Sequence, residues 1–278
     1  MTQPTTILDE LGWLDGRRMR RWGPEGAPKV LVLHGGPAAA GSAVGLAQGL
    51  APEFQALEPW QRGASETPLS VAQHIADLDA LVDWLADPVK LIGESWGAML
   101  ALAYAAAHPA KVQRLGVIAC GTFDLESRAE MKRLIDQRVG EAGRAEMVAI
   151  EASTLDPAAK QIAKYRVVLR AYDVDCEPPR ELGEDEPFDK KAHGESWEDM
   201  LRLQAEAVYP QAFTSIGCAT ALFHGDFDPH PGPMIRDSLR PFIPQLEYFG
   251  FANAGHSLDR ERGVREAFFA RLKAWLLG

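Results

Sequence analysis

The chain has 278 residues, 46% of them hydrophobic, and a formal net charge of −10. That size suits one large α/β domain or two small ones, with ample apolar surface for a core and no sign of disorder, collagen repeats or a membrane protein. The acidic balance speaks against a nucleic-acid partner, whose phosphates need clustered Lys and Arg.

In chain order, the opening residues MTQPTT carry neither a basic start nor an apolar run, so no signal peptide is expected. Residues 30–33 (VLVL) form a continuous apolar run closed by His34-Gly35-Gly36-Pro37. That is the pattern of a strand buried on both faces of a parallel sheet. Residues 54–57 read as the next strand, ending at Trp60-Gln61-Arg62-Gly63. Ser70 is an N-cap for a helix with Val71, Ile75, Leu78, Leu81, Val82 and Leu85 on one face, stopped by Pro88. Residues 89–92 are another buried strand, followed by an Ala-rich helix over 95–107 that ends at His108-Pro109. Its apolar stretch, 98–107, is the longest in the chain and too short to span a bilayer. Residues 112–119 form a further strand.

From 123 to 210 the alternation stops, and the stretch is charged and helix-forming, with helices expected at 128–139 and 198–208 around a Pro- and acid-rich loop, 176–187. Strands at 220–223 and 245–249 and a helix at 264–277 then restore the pattern. Alternating strand and helix implies a doubly wound, mostly parallel sheet. The expected division is a core first part (1–122), a mainly helical cap (123–210) and a core second part (211–278). Cys120, Cys176 and Cys218 lie far apart, form no metal or redox spacing, and read as free thiols in a reducing cytoplasm.

The chemistry gathers at Gly93-Glu94-Ser95-Trp96-Gly97. A nucleophilic serine must stand clear of the backbone on a tight strand-to-helix turn, where a Cβ at either glycine would collide. The helix after it directs N–H groups toward developing negative charge. An acyl-transfer oxyanion needs two N–H donors. The amide of Trp96, next to the nucleophile, is one, and the glycine loop after the first strand supplies the other, assigned to Gly36. His34 is read as structural, and His74, His108 and His193 as surface or packing residues. His224-Gly225-Asp226-Phe227-Asp228 and Gly255-His256 follow later strands. The chain order is therefore serine, acid, histidine, with His256 the general base and either aspartate the acid. A metal cluster of His224, Asp226, Asp228 and His230 is the rival reading, set aside because it leaves Ser95 and His256 without a role.

These motifs resemble the α/β-hydrolase superfamily and, within it, the proline iminopeptidase group. The resemblance runs through residues 25–122 and 215–278 and rests on HGGP at 34–37, QRG at 61–63, GESWG at 93–97, His108-Pro109, the His224–Asp228 segment and Gly255-His256. It implies an α/β-hydrolase fold with a helical cap. It also selects Asp228 as the acid, three residues past the glycine, leaving Asp226 as a loop cap. The sequence departs from the group at Ala38, Trp60 and Ser65, and it lacks the cap's Trp-x-x-Trp-Glu element apart from Trp197-Glu198. In the group, cap carboxylates hold the substrate's α-amine, which makes Glu198, with the acidic stretch 177–186, the candidate for that contact.

The expected activity is hydrolysis of a small ester or amide through an acyl-enzyme on Ser95, with an aminopeptidase as one form. A carboxylesterase or lactonase with an apolar acyl pocket is the alternative, and a non-catalytic binding protein on the same fold a third. A small molecule or short peptide is the expected partner. No nucleotide loop is present, so neither a cofactor nor a metal is expected. The sequence leaves the oligomeric state open.

Overall fold

The apolar runs of the sequence become the central strands of one sheet. A computed structural model of the protein describes residues 18–51, 53–178 and 188–278. Seven strands, β1 (Met19–Trp22), β2 (Lys29–Leu33), β3 (Gln55–Pro59), β4 (Val89–Glu94), β5 (Val112–Ile118), β6 (Ala219–Gly225) and β7 (Leu246–Phe251), are ordered 1-3-2-4-5-6-7. All neighbours pair in parallel except β1, which closes the β3 edge antiparallel. The sheet is thus mostly parallel and doubly wound, as expected.

Side chains alternate faces along each strand, and the two faces meet different helices. Leu31, Leu33, Leu91, Leu115 and Val117 face α2 (Val71–Leu85), α3 (Trp96–Ala107) and α7 (Gly232–Leu239). Val30, Val32, Ile92 and Ile118 face α1 (Val44–Leu50) and α8 (Arg265–Leu277). Ten of the twelve residues of α3 are buried, which is why its sequence is apolar on all sides. Ser70 caps α2 as expected: its hydroxyl accepts the Gln73 amide, and the Gln73 side chain accepts the Ser70 amide at 2.8 Å.

The segment expected as a cap holds α4 (Leu125–Ala152), α5 (Pro157–Leu169) and α6 (Lys190–Ala205), inserted between β5 and β6. Two expectations need correction. The helix expected to stop at 139 only kinks there: Gly140 adopts φ 57° and the chain resumes helix to Ala152. The helix expected from 198 begins eight residues earlier, because Asp189 accepts the Ala192 amide at 3.0 Å and caps it. The short helices α1 and α7, the edge strand β1 and the cap helix α5 are additional elements. Among the described residues no helix is long and apolar enough to cross a membrane, and Cys120, Cys176 and Cys218 are free thiols.

The cap segment that follows α5 is sewn to the loop after β7. Glu261, 1% exposed, accepts the amides of Val174, Asp175 and Gly255 at 2.7, 2.9 and 2.8 Å. Deleting that carboxylate would remove the acceptor of three amides, of which that of Gly255 is buried and would cost about 1–3 kcal/mol without a partner, while those of exposed Val174 and Asp175 can turn to water. Glu261→Ala should therefore destabilise the protein by about 2 kcal/mol, read as a fall in Tm of roughly 6 °C. A thermal scan with an unchanged midpoint would refute this.

Candidate active site

The site lies where the winding of the sheet reverses, between β2 and its neighbour β4, the crevice that α/β sheets use for ligands. Ser95 joins β4 to α3 with φ 54° and ψ −117°, a strained conformation for a residue with a side chain. Two close approaches force it. A Cβ on Gly93 would lie 2.2 Å from the Gly97 oxygen, and one on Gly97 would lie 2.4 Å from the Leu33 oxygen. Only glycine at both positions lets α3 start this close to β2. A Cβ on Gly35 would stand 3.4 Å from Ser95 Cβ, so the loop carrying Gly36 runs directly beside the serine. The first N–H groups of α3, starting with that of Trp96, have no partner within the helix.

That loop is held by its own histidine. His34 is fully buried: its Nε2 accepts the Gln61 amide at 3.1 Å, and Nδ1 lies 3.0 Å from the Gly35 oxygen. Burial pushes its pKa down to about 4, so it is neutral and structural. The Gln61 side chain donates to the His34 oxygen at 3.0 Å and accepts the Trp96 indole N–H at 2.8 Å, tying the two loops together.

Across the sheet edge, Asp228 is buried and His256 Nδ1 donates to its Oδ2 at 2.7 Å. Asp226 is exposed, and its Oδ1 caps the Asn253 amide at 2.8 Å. Two more histidines surround Asp228. His230 offers both its backbone N–H (2.9 Å) and its Nδ1 (2.8 Å) to Oδ1, and His224 Nε2 lies 3.3 Å from Oδ2. Burial alone would raise the Asp228 carboxyl, but the charges of His256, His230 and His224 hold it well below the usual carboxylate range. For His256 burial acts downward, yet Asp228 outweighs it by charge and hydrogen bond, helped by Asp173 and Glu94, and the pKa rises to about 9. Glu94, beside Ser95, is pushed up to about 8 by burial and by the neighbouring Asp259.

The cap completes the surroundings. Tyr172 sets its ring edge against His256 at 5.5 Å, and its carbonyl accepts the His256 amide at 3.0 Å. Arg138 donates to the Phe227 oxygen, one residue before Asp228, at 2.5 Å. Trp197 packs edge-on against Trp96 at 6.4 Å. Glu198 is exposed. A single residue on a helix turns about 100°, and it is Asp199 that faces the core, accepting the Val71 amide at 2.8 Å. Asp189 and Glu195 likewise accept the amides of Ala64 and Leu69. Of the acidic stretch 177–186, all but the first two residues fall outside the described residues.

Among the described residues two groups bring three ligand-type atoms within 4.8 Å of one another: Asp228, His230 and His256, and Asp173, Cys176 and Glu261. In both, the central carboxylate already accepts N–H donors, from imidazoles and an amide at Asp228 and from three amides at Glu261. The sequence reading did not give His230, Tyr172, Arg138 or Glu261 these places. His230 carried a local signal, two residues past the acid between two prolines. The other three act across long sequence separations that no pattern announces.

This arrangement holds an imidazole by Nδ1 and sets a serine at positive φ at the start of a helix. Part of the chain resembles curated proteins: it is 37% identical over 114 residues to a proline iminopeptidase of Arabidopsis thaliana, covering 38% of this chain and 29% of that protein. It is 31% identical over 111 residues to a cis-3-alkyl-4-alkyloxetan-2-one decarboxylase of Shewanella oneidensis, covering 36% of this chain and 35% of that protein. The chain thus aligns with well under two thirds of either relative. The enol-lactonase of Burkholderia xenovorans superposes with a TM-score of 0.63 at 17% identity, over 96% of this chain and 99% of that one, a likeness of fold. The family model of the alpha/beta hydrolase fold matches residues 28–258, and with that span the chain belongs to the α/β-hydrolase family.

Proposed function

We propose that the protein is a serine hydrolase that opens a small ester or lactone through an acyl-enzyme on Ser95. The observation that carries this reading is the Asp228–His256 pair at 2.7 Å, sharing the sheet edge with a serine held at positive φ. His256 Nε2 takes the Ser95 proton as Oγ attacks the carbonyl carbon. The amides of Gly36 and Trp96 receive the oxyanion. The imidazolium then gives its proton to the departing alcohol, and water releases the acyl group by the same steps. Asp228 orients the imidazole and stabilises its cation. A neutral substrate is favoured because Asp189, which caps α6, and Glu195 and Asp199 within it accept backbone amides, and Glu198 is exposed. The partial identity to a proline iminopeptidase favours the second reading, an aminopeptidase.

The test is a fluorophosphonate probe followed by a panel of short acyl esters, lactones, and aminoacyl anilides with free or acetylated amines. Labelling at Ser95 with turnover of esters and lactones supports the first reading. A strong preference for free aminoacyl anilides would replace it with the second, and no labelling would end both.

The reading also fixes a pH dependence. His256 must be neutral to accept a proton, and its pKa is raised to about 9. Neutral imidazole therefore grows as pH rises, and kcat/KM should climb from pH 7 into the weakly alkaline range, about tenfold per unit on the acid limb. A flat profile over that interval, with the protein folded throughout, would exclude His256 as the base.

A further inference from the structure

The chain reads Asp228-Pro-His-Pro231, and the two prolines leave His230 little backbone freedom. Its N–H folds back onto the side chain two residues earlier, an Asx-turn contact of 2.9 Å to Asp228 Oδ1. Its imidazole Nδ1 reaches the same oxygen at 2.8 Å, while the other oxygen takes His256 at 2.7 Å. The two rings then stack, 4.9 Å apart and 28° from parallel, and Tyr172 sets its edge against both, at 5.8 Å from His230 and 5.5 Å from His256. His224 closes the back of the cluster, its Nε2 donating to the His230 oxygen at 2.8 Å. One buried carboxylate therefore serves two imidazoles, only one of which the proposed reaction uses.

We infer that His230 is a positioning residue for this site: by donating to Asp228 and stacking on His256 it divides the carboxylate between two rings and fixes the plane of the base. The inference rests on the serine hydrolase reading above. Each hydrogen bond a carboxylate accepts makes it a weaker partner for the next donor. With the His230 donor removed, Asp228 grips the His256 cation harder, and the ring loses its stacking neighbour. The base then holds its proton to higher pH and starts from a less uniform orientation. The other titratable or charged groups facing the pair are His224 and Arg138, Glu94, Cys120, Tyr172, Asp173 and Tyr248. All of them remain in place when His230 is changed.

The experiment compares wild type, His230→Leu, which removes the donor, and His230→Asn, whose amide can stand in for Nδ1–H. Esters are assayed from pH 5.5 to 9.5, and 15N-histidine NMR follows His256 directly. His230→Leu should move the acid limb of kcat/KM and the His256 titration upward by about half a unit, lowering kcat/KM about threefold on that limb. kcat should fall while KM stays within about twofold, and His230→Asn, which restores the donor but not the stacking ring, should return the pH profile to that of wild type while kcat recovers only in part. Coincident titrations in His230→Leu and wild type would overturn the inference. Should His230→Leu fail to fold, wild-type spectra still decide: two imidazole protons shifted far downfield are expected, and a single one would overturn it. Failure of the underlying reading looks different, as an active Ser95→Ala enzyme, whereas an inactive Ser95→Ala beside an unaltered His230→Leu removes only the role of His230.

Discussion

Ser95→Ala will lose hydrolysis by about three to six orders of magnitude while its melting temperature stays near that of wild type. The hydroxyl sits on a turn whose shape is imposed by Gly93 and Gly97, and the backbone of Ser95 keeps its bond to the Ile118 oxygen at 2.9 Å whatever the side chain. Alanine removes one oxygen from this framework and little packing. Pure protein assayed on the ester found best in the panel, with a fluorophosphonate label as a second readout, decides the matter. Turnover near wild type would dismiss the serine mechanism altogether.

Asp228→Asn should cost about 10^4-fold in turnover, while Asp226→Asn stays within about twofold. An asparagine at 228 keeps the shape but presents an NH2 where a carboxylate oxygen now receives His256 or His230. One imidazole must then rotate or change tautomer, and the imidazolium loses its counter-charge in a buried place. Asp226 is exposed and only caps Asn253, so its amide analogue disturbs no proton path. Both variants should give wild-type circular dichroism. If Asp226→Asn were the crippled one, the acid would have to be reassigned.

The contrast between the two aspartates shows how far the sequence could be read. Strands buried on both faces announce themselves: VLVL at 30–33 is apolar throughout, and VKLI at 89–92 is apolar but for the half-buried Lys90, and both lie where the sheet has them. The turn at Ser95 was legible because its glycines answer to close approaches that no other residue tolerates. The edge strand β1 was not, since its Arg20 points inward to a buried partner, Glu58 at 2.9 Å, and so breaks the apolar pattern. The cap was read only coarsely: its helices carry charge on most faces, and α6 uses Asp189, Glu195 and Asp199 to hold the 64–71 segment. Glu198, the expected amine contact, is exposed, and its neighbour Asp199 is the residue that bonds to the 64–71 segment.

The Glu261 latch bears on how such a protein could be re-engineered. Exchanging the cap for that of another hydrolase invites cuts near 123 and 210, where the alternation of strand and helix breaks and resumes. Yet residues 172–177 bond to the loop of His256 through Glu261, Arg260 and Ser257. By its bonding this short strip is part of the core, although it lies inside the insertion. A chimera that imports a foreign cap together with its own version of this strip would misplace the base even if every core residue were kept. A graft that leaves 172–177 native, and joins donor helices on either side of it, keeps the imidazole where the native chain holds it.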